Sequence, residues 1–481
     1  MNSTRQKLAD INQNFADWYQ DVIFEAELVD SSPTKGCYVL RPYGFAVWEN
    51  IQKILDKKIK QTGTQNAYFP LLIPESFITK EKKHVEGFSP ELAVVTHAGG
   101  QKLEEAYVIR PTSETIIYYM FARWIKSWRD LPLKINQWAN VVRWEMRQRP
   151  FLRTIEFLWQ EGHTAHATHE QAVAMAQEAL AIYKDLLENY YAIPVVAGIK
   201  SESEKFAGAE RTYCLEALMP DGKALQICTS HVLAHSFPEA FEVKFQDKDG
   251  TMQVPYCTSW GFTTRTIGAL VMTHGDQSGL IMPPKLAPIQ AVIVPIYKTD
   301  LDKIAVFERA EALKQELMAL GYSVVFDNDE QTSPGSKFYT WELKGVPVRI
   351  EIGPKDLEKQ QVVLVNRVEQ DKAKKKTFVS LVNVALELEK LLKIIHEHLY
   401  TKAAARMKNS WYQAEKLEEF GSKMDANNGF YQVGWCGSAD CEATLKEFKG
   451  TIRCLLDEKR HEFCFNCKAT SKTDVLLAKS Y

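Results

Sequence analysis

The sequence predicts a protein of mixed helices and strands: an α+β domain, a smaller α/β domain and a cysteine-rich C-terminal module. The chain has 481 residues, which is enough for about two to four domains. After the segment "PPKLAPIQ" (283–290), strands and helices alternate regularly, as they do in α/β domains. Five of the nine cysteines lie between residues 436 and 467, which indicates a separate module.

The composition is ordinary for a globular protein, with 45% hydrophobic and 25% charged residues. The net charge of −2 excludes a general basic field, so any site for a polyanion must be local. No apolar run approaches the roughly 20 residues that span a bilayer, so no membrane partner is expected. The N-terminal segment "MNSTRQKLADINQNF" lacks the apolar stretch of a signal peptide and carries acidic residues, which predicts a cytoplasmic protein.

In the N-terminal half, apolar residues recur at helical spacing between residues 44 and 62 and predict a helix. The segment "NAYFPLLIP" follows as a short buried strand, and residues 75–100 are predicted to be rich in loops. The segment "AYVIRPTSETIIYYMFARWI" predicts a strand, a turn and a helix, with Thr112 or Ser113 as the N-cap.

Further along, the pattern predicts an amphipathic helix over 169–190, several strands over 193–262 and a helix that begins within "TIGALVMTHG". The alternation after residue 290 predicts a small domain with a mostly parallel sheet. A long helix from about 378 to 408 leads out of this domain.

The segment "VVRWEMRQRPFLRTIEF" (141–157) carries four arginines and reads as two strands around a turn at Pro150. Arg143 and Glu145 are two residues apart, so on a strand they share one face. A guanidinium group forms a planar fork that binds phosphate oxygens in pairs. The segment therefore predicts a triphosphate site, although a solvated hairpin would give a similar pattern.

The tail contains two pairs of closely spaced cysteines: Cys436 and Cys441, then Cys464 and Cys467. Four thiolates in two short pairs fit a tetrahedral, structural zinc site. Cys454 lies in the apolar run "TIRCLL" and is interpreted as a core residue. His461 is a weaker alternative ligand.

Three segments resemble the three motifs of class II aminoacyl-tRNA synthetases. A helix leads to a strand that ends at Pro70, a strand carries Arg143 and Glu145, and "SWGFTTRTIGAL" places Arg265 at the start of a helix. Further segments make the chain similar to prolyl-tRNA synthetases of the archaeal and eukaryotic-like type: "RPTSET" (110–115), "LWQEGHTAH" (158–166), "ALQICTSH" (224–231) and "THGDQSGLIMPP" (273–284).

The resemblance implies an enzyme that activates L-proline with ATP and transfers it to proline tRNA. It implies an α+β catalytic domain with an antiparallel sheet (1–284), an α/β anticodon-binding domain (285–400) and a small zinc-binding α/β domain (401–481). ATP and Mg²⁺ would serve catalysis, Zn²⁺ would be structural, and the chain would form a homodimer. Because a substrate carboxylate attacks the α-phosphorus, fixed cations rather than a protein nucleophile would stabilise the reaction.

The resemblance also implies roles for individual residues. The ATP-binding residues would be Arg143, Glu145, Arg153, Gln226, Thr229, Thr263 and Arg265. The proline-binding residues would be Thr112, Glu114, Arg143, Glu161, His163 and His231. Phe157 and Trp159 would be walls of the proline pocket or plain core, and Glu216 is a candidate ligand for Mg²⁺.

For the tRNA, the resemblance implies that Glu342, Arg349 and Lys355 read the two anticodon guanines, whose edges offer donors to a carboxylate and acceptors to a cation. A surface cluster of ion pairs is the alternative interpretation. The terminal carboxylate of Tyr481 would reach towards the catalytic pocket.

Two positions depart from the usual pattern of this family. Cys228 replaces a common glycine, and "AHSF" (234–237) stands where the pattern "LG-x-x-F" is common. The residues between Arg143 and Arg265 leave no room for a large editing insertion. A threonyl, seryl or glycyl enzyme, or a non-catalytic paralogue that binds tRNA, would be the alternative functions.

Overall fold

The structure, a computed structural model, describes residues 7–84 and 92–481. Residues up to 274 form seven α-helices in this described part: α1 Phe15–Glu25, α2 Pro42–Gln61, α3 Glu75–His84, α4 Glu114–Trp124, α5 His169–Asn189, α6 Ser236–Ala240 and α7 Arg265–His274. The strands of the same region are β1 Val29–Ser31, β2 Tyr38–Leu40, β3 Gln65–Asn66, β4 Leu72–Pro74, β5 Ala93–Ala98, β6 Gln101–Ile109, β7 Leu133–Val142, β8 Glu156–His166, β9 Val196–Ile199, β10 Arg211–Leu218, β11 Ala224–Ala234, β12 Phe245–Gln246, β13 Met252–Gln253 and β14 Tyr256–Thr263.

The remaining residues form further helices and strands. The helices are α8 Asp300–Ala319, α9 Pro334–Leu343, α10 Pro354–Glu358, α11 Val384–Asn409, α12 Leu417–Ala426 and α13 Ala439–Ala443. The strands are β15 Ala291–Pro295, β16 Val324–Phe326, β17 Val348–Ile352, β18 Gln361–Asn366, β19 Lys376–Ser380, β20 Trp411–Gln413, β21 Phe430–Trp435, β22 Thr451–Leu456 and β23 Thr473–Ala478.

One long sheet organises the molecule, and among the described residues it has the order β20-β21-β23-β22-β9-β10-β11-β14-β8-β7-β3. Its central strands, from β9 to β7, are antiparallel to one another, which confirms the predicted antiparallel catalytic sheet, and the short β3 pairs with β7 in parallel. Helix α5 packs across one face, where Tyr183 contacts the rings of Trp260 and Phe262. The opposite face of the same strands is free to form a site.

Gly162 sets the spacing between β8 and β14 under this helix. A Cβ atom at residue 162 would lie 2.2 Å from the Trp260 ring, so only glycine allows the indole to pack there. The neighbouring Gln160 accepts a hydrogen bond of 2.6 Å from the Tyr183 hydroxyl. Because side chains alternate along a strand, Glu161 and His163 must then point to the opposite face.

Three predictions for the N-terminal half are wrong in part. The segment "NAYFPLLIP" is not one buried strand, because β3 ends at Asn66, β4 begins at Leu72 and Tyr68 between them is 72% exposed. The stretch predicted to be loop-rich contains α3 and β5, which pairs with β6, and its residues 85–91 lie outside the described part of the chain. The arginine-rich segment does not form two continuous strands, because β7 ends at Val142 and β8 begins at Glu156. The loop between them is closed by backbone hydrogen bonds between Arg149 and Arg153.

The α/β domain contains a five-stranded sheet in the order β16-β15-β17-β18-β19. Strand β15 runs parallel to β16 and β17, but β17, β18 and β19 are antiparallel to one another, so the prediction of a mostly parallel sheet is wrong. The reason is the short connection between β17 and β18, which has only the eight residues 353–360. A parallel crossover needs a dozen residues or more.

The C-terminal strands continue the catalytic sheet, since Leu455 of β22 pairs with Ile199 of β9. A fully buried charge cluster lies at this junction. The Glu216 carboxylate accepts hydrogen bonds from Lys200 at 2.8 Å and from the Arg453 guanidinium at 3.0–3.1 Å. Helix α11 spans the expected domain boundary at residue 400.

In the described part of the chain, no helix is both long enough and apolar enough to traverse a lipid bilayer.

Replacing Arg453 with methionine should destabilise the protein, because Glu216 would remain buried with fewer partners for its charge. Breaking a buried ion cluster by removing one member costs roughly 3 kcal/mol of unfolding free energy. Denaturant unfolding of Arg453→Met measures this. Arg460→Met is the control, because Arg460 pairs with Glu458 on the exposed surface and should change stability little. Equal stability of both variants would contradict a structural role for the cluster.

Candidate active site

A cavity of about 310 Å³ opens on the free face of the central sheet. All twelve residues predicted to bind ATP or proline line it: Thr112, Glu114, Arg143, Glu145, Arg153, Glu161, His163, Gln226, Thr229, His231, Thr263 and Arg265. They come from segments that span more than 150 residues of sequence. The structure therefore brings the separately predicted residues into one place.

The strands explain this convergence. Glu161 and His163 are two residues apart on β8, and Thr229 and His231 are two residues apart on β11. Residues at this spacing project from the same face of a strand. Strand β14 lies between β8 and β11 and supplies Thr263 at its end.

Two buried carboxylates form one wall of the cavity. Glu114 is 3% exposed and accepts a hydrogen bond from the Thr112 hydroxyl. Glu161 is 2% exposed and accepts hydrogen bonds from Ser113, from Gln137 at 2.7 Å and from His163 at 2.9 Å. Ser113 occupies the N-cap position of α4, as predicted for Thr112 or Ser113, but its hydroxyl binds Glu161 instead of capping the helix. This wall is suited to bind a cation that has been stripped of water.

The two histidines have opposite electrostatic environments. Burial alone would lower the pKa of His163, but the hydrogen bond to Glu161 and the charges of Glu161 and Glu114 raise it. Burial and the nearby His163 lower the pKa of His231 to about 3. The ring of His231 lies between the hydroxyl groups of Thr212 at 2.9 Å and Thr229 at 3.0 Å. His231 is therefore a neutral residue with a fixed orientation at physiological pH.

Three arginines form the other side of the cavity. The Arg143 guanidinium donates to the Pro111 carbonyl at 2.9 Å and lies 5.5 Å and 5.6 Å from the ring centroids of Phe157 and Trp159. These two aromatic residues therefore support a cation as well as lining the cavity.

Arg265 binds the carbonyl of Leu152 at 3.1 Å, and no ion pair to a carboxylate is recorded for it among the described residues. Desolvation and the neighbouring charges of Arg143 and Arg153 lower its pKa. An arginine nevertheless stays protonated at neutral pH. Arg153 lies 4.0 Å from the Glu145 carboxylate, whereas Arg265 is held by carbonyl oxygens, so its guanidinium group is suited to bind an anion.

Several residues that line the cavity lie outside any recognisable sequence motif. Glu204, Phe206 and Thr212 belong to the connection after β9 and the start of β10, and Phe206 stacks against His231 with centroids 4.7 Å apart. No local motif marks this connection. Glu216 does not line the cavity, and both of its carboxylate oxygens bind Lys200 or Arg453, so it does not fit the role of a Mg²⁺ ligand.

In the α/β domain, Glu342 and Arg349 line one small pocket with Trp341, Arg367 and Lys375. Glu342 pairs with Lys375 at 3.1 Å, and Arg349 binds Glu351 at 2.9 Å. Lys355 lies on α10, is exposed and does not line this pocket. The structure thus brings two of the three predicted anticodon residues together.

The four cysteines of the two pairs meet in the tail, with all four sulfur atoms within 4.8 Å of one another. The Sγ atom of Cys436 lies 3.7 Å from those of Cys441 and Cys467. With Zn–S bonds of about 2.3 Å, the edge of a tetrahedral site is roughly 3.8 Å, so the cluster fits zinc. His461 binds Asp474 at 2.9 Å and is not part of this cluster, and neither is the buried Cys454.

Tyr481 packs against the catalytic domain, where its backbone N–H donates to the Ala224 carbonyl at 3.2 Å. It lines a separate cavity of about 130 Å³ together with Tyr19, Arg149 and Leu152. Leu152 also lines the main cavity. The last residue is therefore a neighbour of the site without lining it.

The fold and the cavity define a class II aminoacyl-tRNA synthetase. The core domain model of the class II synthetases for glycine, histidine, proline, serine and threonine matches residues 94–274. The anticodon binding domain model matches residues 290–398, and the C-terminal domain model of prolyl-tRNA synthetases matches residues 417–481.

The chain belongs to the proline–tRNA ligases, which use ATP to join L-proline to tRNA. It is 49% identical to the proline–tRNA ligase of Acetoanaerobium sticklandii over 98% of both chains, and 48% identical to proline–tRNA ligase 2 of Clostridioides difficile over 99% and 98% of the two chains. A crystal structure of prolyl-tRNA synthetase from Cryptosporidium parvum, complexed with halofuginone and AMPPNP, is also similar. It has a TM-score of 0.93 and 39% identity over the full length of both chains.

Arg143→Ala should abolish proline-dependent ATP–pyrophosphate exchange while leaving the protein folded. The cavity would lose a cation that is fixed by Pro111, Phe157 and Trp159, and the loss of one such group lowers turnover by about a hundredfold or more. Arg147→Ala is a matched control on the same loop, because Arg147 does not line the cavity. Near-normal exchange by a folded Arg143→Ala variant would contradict the assignment.

Proposed function

We propose that the cavity binds proline against the carboxylate wall and ATP against the arginines, so that the two substrates meet at Arg143. The observation that carries this proposal is the presence of two buried carboxylates and three arginines in one cavity. An amino acid is a cation at its amine and an anion at its carboxylate, and ATP is a polyanion. The exchange assay of Arg143→Ala tests this arrangement.

At the proline end, Glu114 and Glu161 accept the secondary ammonium group, and Thr112 supplies a further polar contact. Because Glu161 is already held by Gln137, Ser113 and His163, it keeps its orientation when the substrate enters. His231 is neutral and fixed by two threonine hydroxyl groups, so it forms polar contacts without repelling the ammonium group.

At the ATP end, Arg143 contacts both the prolyl carboxylate and the α-phosphate and holds the two anions together for attack. Arg153 and Arg265 bind the outer phosphates, and Arg265 also packs against the base. Glu145, Gln226, Thr229 and Thr263 complete the nucleotide site. The charge that develops on the leaving pyrophosphate is stabilised by groups that are already in place.

Mg²⁺ would enter this site with ATP and neutralise part of the triphosphate charge. Magnesium usually binds to one or two carboxylates together with substrate phosphates. Glu145 and Glu204 line the cavity and are suited to this role, whereas Glu216 is occupied by Lys200 and Arg453.

We assign the chain to the archaeal and eukaryotic-like type, with a C-terminal domain that binds zinc. The Cryptosporidium parvum likeness over the whole chain supports the type, and the geometry of the four thiols supports the metal. The type describes an architecture rather than a lineage, because the most similar relatives named above are bacterial. The carboxylate of Tyr481 would act from its cavity beside Leu152.

The functional divisions of the chain would be residues 1–284 for catalysis, 285–400 for the anticodon and 401–481 for zinc. Since α11 crosses residue 400, the second division is functional and does not coincide with a break in secondary structure. The enzyme would work as a homodimer in the cytoplasm.

Glu342, Arg349 and Lys355 would read the anticodon guanines from the α/β domain. Glu342 and Arg349 share a pocket, which supports their role more strongly than that of the exposed Lys355. The ion pairs of Glu342 with Lys375 and of Arg349 with Glu351 would orient these groups before the tRNA binds.

Glu342→Ala should weaken aminoacylation of proline tRNA but leave ATP–pyrophosphate exchange intact, because an unpaired guanine edge costs about 1–3 kcal/mol. Steady-state kinetics of both reactions measure the difference. Glu358→Ala on α10 is the control, since Glu358 is exposed and lies outside the pocket. An equal loss in both reactions would contradict the proposal that anticodon recognition and proline activation belong to different domains.

Cys464→Ser should release zinc and destabilise the C-terminal region, because a structural metal contributes folding free energy directly.

Removal of Tyr481 alone should leave one equivalent of zinc and raise the proline KM or lower turnover. Metal analysis and exchange kinetics separate the two effects. Full activity of a zinc-free wild-type enzyme would contradict the metal assignment, and unchanged kinetics without Tyr481 would contradict its role.

A further inference from the structure

An ion pair between a buried arginine and a partly exposed aspartate joins the catalytic domain to the α/β domain. Both carboxylate oxygens of Asp276 accept hydrogen bonds from the Arg367 guanidinium at 2.7 Å. Arg367 is 4% exposed at its side chain, and the pair has the two-pronged geometry that fixes both direction and distance. Asp276 belongs to residues 275–282, which we call the interdomain loop, and Arg367 follows β18.

The interdomain loop is held tightly against the end of α9. The backbone N–H of Leu280 donates to the Leu343 carbonyl at 3.0 Å, and that of Met282 donates to the Gly345 carbonyl at 3.0 Å. Gly279 has a φ of 126°, and a Cβ atom there would lie 2.7 Å from Leu343 backbone atoms. These contacts leave the loop and α9 little freedom to move independently.

On the α/β side, Arg367 contacts the segment that is assigned to the anticodon. Its Nε atom donates to the Glu342 carbonyl at 3.2 Å, and its second amino group donates to the Leu280 carbonyl at 3.1 Å. Arg367 also lines the same small pocket as Glu342 and Arg349. A ligand that contacts Glu342 and Arg349 would therefore lie next to the residue that binds Asp276.

On the catalytic side, Asp276 lies two residues beyond α7, the helix that begins with Arg265 in the active-site cavity. Most of α7 is buried, so it transmits a displacement as a rigid body. The backbone of Asp276 is itself fixed, because its carbonyl accepts a hydrogen bond of 3.0 Å from the Trp18 indole.

We propose that Asp276 and Arg367 are positioning residues that couple recognition of the anticodon to the placement of Arg265 in the active site. This inference rests on the proposed role of Glu342 and Arg349. Guanine binding beside Arg367 stabilises the arrangement in which the bidentate pair is intact, and that arrangement holds α7 and Arg265 in the productive position. Coupling is reciprocal for binding, so an occupied active site also favours the cognate anticodon.

A second contact at the same interface provides a matched control. Lys344 follows α9 and binds Glu27, which follows α1 and does not line the active-site cavity. The pair Glu27–Lys344 thus joins the same two domains without leading to α7. If every interdomain contact coupled the anticodon to the active site, the loss of the Glu27–Lys344 pair would lower kcat as much as the loss of the Asp276–Arg367 pair.

The experiment compares full-length wild type, Asp276→Asn and Glu27→Gln. It measures proline-dependent exchange without tRNA, and aminoacylation kinetics with proline tRNA and with a transcript in which one anticodon guanine is replaced by adenine. The wild type should show both a lower kcat and a higher KM with the altered transcript. In Asp276→Asn, kcat with cognate tRNA should fall by roughly tenfold, within the usual range of coupling between sites. Exchange without tRNA should also fall, because Arg265 would no longer be held in the productive position.

The kcat of Asp276→Asn should then be the same for both transcripts, whereas its KM should still distinguish them. Glu27→Gln should behave as the wild type. The proposal would be overturned if Asp276→Asn kept the wild-type ratio of kcat between the two transcripts. It would also be overturned if kcat of Glu27→Gln fell as much as that of Asp276→Asn. If Asp276→Asn fails to fold, Arg367→Lys replaces it in the experiment, because lysine keeps the positive charge but loses one of the two hydrogen bonds to the carboxylate. A smaller kcat ratio in that variant supports coupling, and an unchanged ratio overturns it.

The failure of the proposed function has a different signature. A wild-type enzyme that charges both transcripts with equal kcat and KM would overturn the anticodon assignment, and the coupling with it. If the wild-type enzyme distinguishes the two transcripts and Asp276→Asn shows the same ratio of kcat between them, the coupling alone would be overturned.

Discussion

The active site depends on keeping groups of opposite charge close together without letting them neutralise one another. The carboxylates of Glu114 and Glu161 are paired with hydroxyl, amide and imidazole donors, and the guanidinium groups of Arg143 and Arg265 are held by carbonyl oxygens. Each of these charges is thus held in place by its polar neighbours, and neither carboxylate forms an ion pair with either guanidinium group. A rigid sheet is what makes this possible, because flexible side chains of opposite charge in one cavity would otherwise form ion pairs with each other.

The positions of these groups follow from the strand geometry. Alternation on β8 and β11 places the pairs Glu161 and His163, and Thr229 and His231, on the cavity face, while Gln160 and Gly162 face α5. The core and the site are therefore two faces of the same strands. The close packing of Trp260 against Gly162 fixes the position of β8 relative to β14, and these strands carry Glu161, His163 and Thr263.

Much of this arrangement could be predicted from the sequence. Short motifs such as "QEGH" place residues two apart, as on one face of a strand, and the cysteine pairs have the short spacing of zinc ligands. Residues without a local signal could not be predicted. Glu204 and Phe206 reach the cavity only because the connection after β9 folds over it, and Glu216 is excluded from the cavity by a partner from β22 that lies far away in sequence. The antiparallel pairing of β17 with β18 is likewise not predictable from the alternation of helices and strands, because that alternation does not reveal that a connection is too short for a parallel crossover.

The buried cluster of Glu216, Lys200 and Arg453 has a consequence for the order in which the protein is made. Arg453 is 237 residues beyond Glu216, so a ribosome completes the catalytic strands long before it supplies the second cation of this cluster. Until then the edge of the sheet at β9 also lacks its neighbour β22. A nascent chain therefore carries a catalytic core that is not yet closed, and a truncated product keeps an exposed strand edge and an acidic group short of partners.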